Sequence, residues 1–271
     1  LIPYVPDLDK SLYLISEREL LSSNDPLLFA FTIQAYFKLL EHQFQFGSLQ
    51  FLENEMDEQF NYCSKLFVDP EFGEYIKTET NADYPELLGQ LSKTFPKKYA
   101  EVDVKYHILD YALDHIKSKS SIRFLSTVDP MNLYDKDDFF YNLNLNSDTL
   151  PVFYNLVSNE KVFTDKLDLE HFPISKINLT FTKLVWLVEL MIQYKYILKR
   201  LTNEWSTLAM TIIKPINPIA DYDLQQQRKN IIEAILNSGF ELSPDLLKNL
   251  EEQVELVRKG VYVMEPLTET S

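Results

Sequence analysis

Glycine is scarce in this chain, and its scarcity excludes several classes of active site. The 271 residues include five glycines, at positions 47, 73, 89, 239 and 260, and no two of them lie within a few residues of each other. Dinucleotide fingerprints, phosphate-binding loops and nucleophile elbows all need closely spaced glycines, because the backbone must turn tightly or approach a phosphate. The sequence therefore excludes these motifs. It also disfavours a sheet-rich fold, which would need many more tight turns.

Cysteine is scarcer still, with Cys63 as the single example. It permits no intrachain disulfide, which indicates a reducing compartment, either the cytoplasm or the nucleus. Its setting in "FNYCSKLF" is typical of a small core residue. One cysteine and four histidines without an HExxH pattern provide no zinc-finger or helical zinc-protease arrangement. We therefore expect no bound metal and no cofactor.

Long apolar runs and positive charge are also missing. The most apolar run, 184–192, contains Glu189 and is far shorter than the about 20 residues that a bilayer requires, so we expect no membrane span. The 26 basic and 41 acidic residues give a formal net charge of −15. Such a chain is repelled by nucleic acids and anionic membranes unless a local basic patch overcomes the repulsion. We therefore expect protein partners rather than nucleic acid.

The sequence predicts an all-α fold. This prediction comes from its abundant residues and from the signals that begin and end helices. Apolar residues make up 45% of the chain and aromatic residues 13%, which is typical of a globular protein with a bulky core. Capping residues, prolines at helix starts and glycines at helix ends predict helices at 26–46, 49–67, 84–95, 99–119, 219–239 and 243–260. The first two and the last two form antiparallel hairpins without a shared repeat signature. We predict an irregular array of helical hairpins, either solenoid-like or a bundle.

The segment 175–213 carries the strongest periodicity. Its apolar residues recur at alternating steps of three and four, which predicts one long central helix, with a break near 202–204 as an alternative. The weaker pattern of 120–173 predicts short helices and loops, and Pro215 and Pro218 stop any helix. We interpret 1–271 as a single elongated helical domain with possible subdomain boundaries near 120–173 and at 213–220. Because the chain does not start with methionine, we expect it to be a piece of a larger protein.

Four polar residues form the main candidate site, in the stretch "EVDVKYHILDYALDHIKSK". At about 100° per residue, Asp103, His107, Asp110 and Asp114 lie within roughly 60° of one another on a helix. We call these four residues the acidic stripe. Apolar residues cover most of the remaining circumference, which indicates a helix packed on several sides. We interpret the acidic stripe as the open edge of that helix; binding of a basic partner is its functional alternative, and a metal or acid/base site is a third.

Two further clusters supply rival hypotheses. The acidic run Asp135–Asp138 resembles half of a magnesium site but has no matching second cluster, and we interpret it as an exposed helix start. Basic residues lie after one helix (Lys117, Lys119 and Arg123) and along another (Lys195, Lys199 and Arg200). The first group suits a helix C-terminus, and either group is a possible patch for RNA or an acidic peptide.

The favoured hypothesis is a non-enzymatic scaffold or adaptor domain of a larger cytoplasmic or nuclear complex. This hypothesis is based on four properties of the predicted helical chain: it is acidic, poor in glycine and rich in aromatic residues, and it has no recognisable active site. The alternatives are a helical metal-dependent enzyme that uses an acidic cluster, and a nucleic-acid-binding subunit with a local basic patch. Few glycines with many Asn, Phe and Tyr residues are associated with AT-rich eukaryotic genomes such as those of yeasts. The sequence does not specify the oligomeric state.

Overall fold

The computed structural model describes residues 53–69, 84–143, 146–167, 179–213 and 222–259, and every regular element within them is helical. The predicted all-α fold is confirmed. Within these ranges no helix combines the length and the apolarity that crossing a membrane requires. The predicted helix at 26–46 and the possible boundary at 213–220 lie outside the described residues.

The chain divides between Phe139 and Phe140 into two compact units. The described part of the first unit contains five α-helices, a 3-10 helix at Pro130–Leu133 and the start of a sixth α-helix. The helices are α1 (Glu53–Val68), α2 (Tyr84–Thr94), α3 (Pro96–Tyr106), α4 (Ile108–Asp114), α5 (Lys119–Leu125) and α6 (Asp137–Asn142).

Aromatic side chains form the core of the first unit. The Phe67 ring of α1 lies 5.2 Å from the Phe124 ring of α5 and 5.5 Å from the Tyr111 ring of α4, measured between centroids. Phe124 also stacks on Tyr99 of α3. Phe67 and Phe124 are fully buried. One aromatic cluster therefore joins four helices, and α2 packs against α1, α3 and α5 around it.

Gly89 allows α2 and α5 to approach closely. A Cβ atom at this position would lie 2.7 Å from the carbonyl oxygen of Phe124 and 2.8 Å from the backbone nitrogen of Val128, and it would overlap the Thr127 hydroxyl. Both distances are well inside van der Waals contact, and backbone atoms cannot move aside as a flexible side chain would. Gly89 lies within a regular helix, so its backbone conformation does not require glycine. The lack of space for a Cβ atom is what requires it.

Two side-chain hydrogen bonds reinforce this approach. The Thr127 hydroxyl donates to the carbonyl oxygen of Glu86 at 2.8 Å, and the backbone amide of Asp129 donates to the Ser92 hydroxyl at 2.7 Å. Ser92 is fully buried and in turn donates to the carbonyl oxygen of Gly89 at 2.6 Å. These bonds connect α2 to the chain that follows α5.

The second unit contains seven further helices among its described residues. They are α7 (Leu150–Val157), α8 (Glu160–Lys166), α9 (Phe181–Met191), α10 (Lys195–Thr202), α11 (Ser206–Ile213), α12 (Tyr222–Leu236) and α13 (Pro244–Lys259). Within the described parts of 120–173, namely 120–143 and 146–167, the expectation of short helices and loops is confirmed by α5 to α8 and the 3-10 helix. Helix α12 packs against α9, α10, α11 and α13.

The segment predicted as one long helix contains three, because its backbone leaves the helical conformation twice. Tyr194 is extended (φ −93°, ψ 122°) between α9 and α10, and Asn203 (φ −118°, ψ −96°) follows α10. The second break lies at 202–204, where the sequence offered a break as the alternative to one long helix. At this break the Trp205 amide donates to the Arg200 carbonyl oxygen at 2.8 Å. Most residues of the predicted apolar stripe are nevertheless buried on both sides of the breaks, including Val188, Met191, Leu201, Leu208 and Ile212, whereas Leu198 is half-buried.

A buried arginine completes the end of α11. Arg228 of α12 is 5% exposed, and its guanidinium donates to the carbonyl oxygens of Ile212 and Ile213 at 2.7 Å each and to the Gln225 side chain at 2.9 Å. The last carbonyls of a helix have no partner within the helix, and here a side chain of the next helix supplies one. Burial lowers the pKa of Arg228.

The predicted start of the last helix is confirmed. The Ser243 hydroxyl accepts from the backbone amide of Leu246 at 3.3 Å, and Pro244 takes the first helical position. Gly239, which follows α12, has a φ of 73°. That left-handed conformation carries no penalty for glycine, and it explains why this residue ends the α12 segment.

Replacing Gly89 with alanine will destabilise the protein by about 2–3 kcal/mol, because the steric cost exceeds the propensity gain of about 1 kcal/mol that alanine brings to a helix interior. Equilibrium denaturation of the 271-residue chain measures the difference. The matched control is Gln90→Ala at the neighbouring exposed position, for which we expect a change within about 0.5 kcal/mol. A Gly89→Ala variant more stable than the parent chain would show that α2 and α5 lie further apart.

Replacing Arg228 with methionine will cost about 2–4 kcal/mol, because the buried carbonyl oxygens of Ile212 and Ile213 lose their donors while the apolar stem is kept. Lys229→Met is the control, since the Lys229 ion pair with Glu233 is 3.8 Å long and exposed and such pairs contribute about 0–1 kcal/mol. Equal effects of the two substitutions in chemical denaturation would contradict a capping role for Arg228.

Candidate functional site

The acidic stripe lies on two helices rather than on one. The helix predicted over 99–119 breaks at His107, which has a φ of 53° and a ψ of 45°, the left-handed conformation. His107 is the one described non-glycine residue with a positive φ. Asp103 lies on α3, His107 at the break, and Asp110 and Asp114 on α4. The prediction of a single continuous helix for this stretch was therefore wrong.

The Asp103 side chain explains the break. Its carboxylate accepts a hydrogen bond from the backbone amide of Leu109 at 2.8 Å, and the Ile108 amide also bonds to it. These amides belong to the first turn of α4 and have no partner within the helix. Asp103 therefore caps the helix that follows it, although it lies on the helix before. This bond offsets the about 1–2 kcal/mol that the left-handed conformation costs a residue with a Cβ atom.

Asp110 forms an ion pair that the sequence did not indicate. The Lys136 ammonium, from the segment between the 3-10 helix and α6, lies 2.7 Å from the Asp110 carboxylate. The side chains are 39% and 57% exposed, respectively, so solvent screens the attraction. The Asp103 carboxyl is half-buried, and burial raises its pKa above the ordinary value. The hydrogen bond from the Leu109 amide opposes this rise in the pKa, Asp110 adds to it, and Lys136 opposes it more weakly.

Tyr99 is a buried residue on the same helix as Asp103 that the sequence did not single out. It is one turn before Asp103 on α3 and 3% exposed, and no described residue forms a hydrogen bond with its hydroxyl. Burial, Asp103 and Asp110 all raise its pKa, so the hydroxyl remains protonated at neutral pH. The four-residue spacing from Asp103 was a signal that could have identified Tyr99, whereas nothing in the sequence connects Lys136 to Asp110.

The open edge is wider than the sequence analysis expected. His107, Asp110 and Asp114 are exposed, in agreement with the predicted wet edge. Val104, assigned to an apolar flank that packs against neighbours, is 77% exposed instead. Ile108 and Ala112, which were assigned to the same flank as Val104, are fully buried as expected. One side of α3 next to the acidic stripe therefore remains accessible to a partner.

The remaining acidic and thiol candidates lie apart from this geometry. Asp135, Asp137 and Asp138 are exposed around the start of α6, as expected for a solvated helix start. Within the described ranges no group of three or more His, Cys, Asp or Glu residues is arranged to hold a metal ion. Burial raises the pKa of the Cys63 thiol to about 12, so the thiol is protonated and unreactive at neutral pH. Its interpretation as a core residue is confirmed.

The two basic groups differ in their contacts. Arg123 lies 3.7 Å from Glu86, and Lys117 and Lys119 are exposed. On α10, Arg200 lies over the Phe163 ring at 5.5 Å and 3.7 Å from Glu204. Lys195 and Lys199 are exposed one turn apart. Both groups therefore present two neighbouring lysines to solvent, and the role of either group as a patch stays a prediction.

Comparison with known proteins identifies one relationship. The model of a protein family described as "DNA mismatch repair protein HSM3, C terminal domain" matches residues 49–255. The match covers about three quarters of the chain and includes the acidic stripe, Tyr99 and Lys136. None of the curated proteins that were compared matches the chain.

Two substitutions at His107 will distinguish the broken helix from a continuous one. In the left-handed conformation glycine is favoured over alanine by about 1 kcal/mol, whereas in a helix interior alanine is favoured by about 1 kcal/mol. We therefore expect His107→Gly to be more stable than His107→Ala in equilibrium denaturation. The reverse order would mean that α3 and α4 are one helix. Asp103→Ala, which removes the cap, will cost about 1 kcal/mol.

Proposed function

Because the chain belongs to the family of the C-terminal domain of the DNA mismatch repair protein HSM3, we propose that it is a non-enzymatic protein-interaction domain, of the adaptor or chaperone type, that works within a larger complex. Family membership supports a role that depends on a partner. The proposed contact surface is the acidic stripe, with Asp103, His107, Asp110 and Asp114.

The observation that carries this proposal is the exposure of three charged or polar side chains beside an exposed apolar one. His107, Asp110 and Asp114 face solvent, and Val104 is 77% exposed one residue after Asp103. A carboxylate surface with an apolar contact beside it suits a basic partner surface with a small apolar centre. The helices that carry it pack on a buried aromatic core, and a surface that the fold has positioned before binding lowers the entropic cost of association.

The charge of the chain favours protein over DNA as the direct partner. The family description names a DNA mismatch repair protein, and we infer that any part this chain takes in such a process involves protein contacts. A formal net charge of −15 repels the phosphate backbone, which supplies most of the affinity in nonspecific binding. Cys63 is the single cysteine of the chain, and it is free and buried. A single cysteine cannot form an intrachain disulfide, which supports a reducing compartment, the cytoplasm or the nucleus.

Charge reversal of the acidic stripe tests this function. The double substitution Asp110→Lys and Asp114→Lys will reduce co-purification of the partner at least about tenfold, since two attractive contacts become repulsive ones. The measurement is affinity purification of the tagged full-length protein from its own cells, followed by quantitative mass spectrometry.

The matched control is Glu241→Lys with Glu251→Lys, which changes the net charge equally at two exposed positions of the second unit. The control will keep the partner at the level of the parent protein. Recovery of the parent protein alone would refute the proposed function, and so would equal loss of the partner in both double variants. Stoichiometric Mg, Mn or Zn in protein purified without chelators would favour the enzyme alternative instead.

A further inference from the structure

Two lysines of α10 have no carboxylate partner within the described part of the chain. Lys195 and Lys199 are exposed one helical turn apart, and no described carboxylate lies within ion-pair distance of either ammonium group. Arg200, the third cation of the helix, is engaged by the Phe163 ring and by Glu204. In a chain with a formal net charge of −15, two neighbouring positive charges are thus left uncompensated on one helix.

Partly exposed apolar surface lies beside these lysines. Leu198 precedes Lys199 and is half-buried, although Leu201, the next residue of the predicted apolar stripe, is fully buried. The Phe240 ring, from the segment between α12 and α13, is half-buried as well, and its centroid lies 5.9 Å from the Lys195 ammonium. We call Lys195, Leu198, Lys199 and Phe240 the basic face. It combines two cations with apolar surface that remains partly in water.

Contacts on the other side of α10 hold the basic face in place. Ile197 and Leu201 are fully buried. The Tyr196 hydroxyl donates to the carbonyl oxygen of Val157, the last residue of α7, and the Tyr196 ring lies 5.5 Å from the Phe163 ring. Residues one turn apart on a helix have Cβ atoms about 5–6 Å apart. The fold therefore sets the spacing of the two lysines before any partner arrives.

We propose that the basic face binds an acidic helix of a partner protein, in which two carboxylates one turn apart flank an apolar residue. Carboxylates four residues apart on a helix have the same spacing as Lys195 and Lys199, so two charge pairs form at once. The apolar residue between them covers the exposed parts of Leu198 and Phe240. This surface belongs to the second unit and is opposite in charge to the acidic stripe, so it is a contact beyond the proposed function.

The surroundings of the basic face favour a protein over a single-stranded nucleic acid. Binding of a single strand uses a positively charged groove together with aromatic faces on which bases stack. Tyr194 and Tyr196 instead stack on each other, with centroids 5.5 Å apart and an interplanar angle of 19°. Arg200 lies 3.7 Å from Glu204, which reduces the positive charge available to phosphates. An acidic protein segment needs only the two free ammonium groups.

The test is the fluorescence anisotropy of a labelled helical peptide, with Glu-Ala-Ala-Leu-Glu at its centre, titrated with the 271-residue chain at low ionic strength. We expect saturable binding that weakens as salt is added, because exposed charge pairs are screened. A peptide with Gln in place of both Glu residues will bind at least about tenfold more weakly. A peptide with Ala in place of Leu will bind about fivefold more weakly, since an apolar contact is lost.

Charge reversal of the basic face locates the binding. Lys195→Glu with Lys199→Glu will weaken binding of the acidic peptide at least about tenfold, and Lys195→Arg with Lys199→Arg will retain it. The matched control is Lys117→Glu with Lys119→Glu, an exposed lysine pair of the first unit with the same change in net charge. This control will bind as the parent chain does. Far-UV circular dichroism checks that all variants keep their helix content.

If the charge-reversed variant loses helix content, Lys195→Gln with Lys199→Gln replaces it, and we expect about fivefold weaker binding. Equal binding of the Gln peptide, or equal loss in the charge-reversed variant and its control, would overturn the basic face as an acidic-helix site. Tighter binding of a single-stranded RNA oligonucleotide than of the acidic peptide, lost in the same variant, would assign the surface to nucleic acid instead.

Failure of this inference differs from failure of the proposed function. The acidic-stripe variant, Asp110→Lys with Asp114→Lys, will still bind the acidic peptide, because the basic face is unchanged in it. If that variant loses its partner and the parent chain does not bind the acidic peptide, the acidic stripe is supported and the basic face is refuted. The opposite result refutes the acidic stripe alone.

Discussion

The α-helices in the described part of the chain are 6 to 16 residues long, and the backbone groups at the ends of each helix need hydrogen-bond partners. Four amides and four carbonyls per helix have no partner within the helix, so short helices carry a large share of such groups. Side chains supply many partners here. Ser118 caps α5, Asn159 caps α8, Thr180 caps α9 and Asp103 caps α4, while Arg228 completes the C-terminal end of α11.

This constraint links stability to the candidate site. Asp103 holds the start of α4 and belongs to the acidic stripe, so one carboxylate serves the fold and the surface together. Asp103 is half-buried in this capping position, and burial raises the pKa of its carboxyl. A domain has only about 5–15 kcal/mol of net stability, and a cap contributes about 1 kcal/mol of it. The capping role of Asp103 therefore constrains any substitution that is made to test the acidic stripe.

The sequence predictions were accurate where the interactions act within about one turn of helix, and they failed where the interactions connect residues that are distant in the chain. The start of the last helix was predicted correctly from Ser243 and Pro244, because a cap and a proline act within one turn. The break at His107 was missed, because periodicity across 99–119 continues through it and the left-handed residue is not glycine. The two breaks in 175–213 were only partly anticipated for the same reason. The Lys136–Asp110 pair spans 26 residues and leaves no local pattern.

The sequence by itself determined the helical class, the identity of the helix-start signals, the burial of Cys63 and the exposure of Asp110 and Asp114. These properties depend on local propensity and on the period of apolar residues, which act over one or two turns. The tertiary structure decided where the helices break, which helices approach at Gly89, and which groups surround Tyr99. Such features depend on contacts between residues distant in the chain, where packing outweighs local preference by a few kcal/mol.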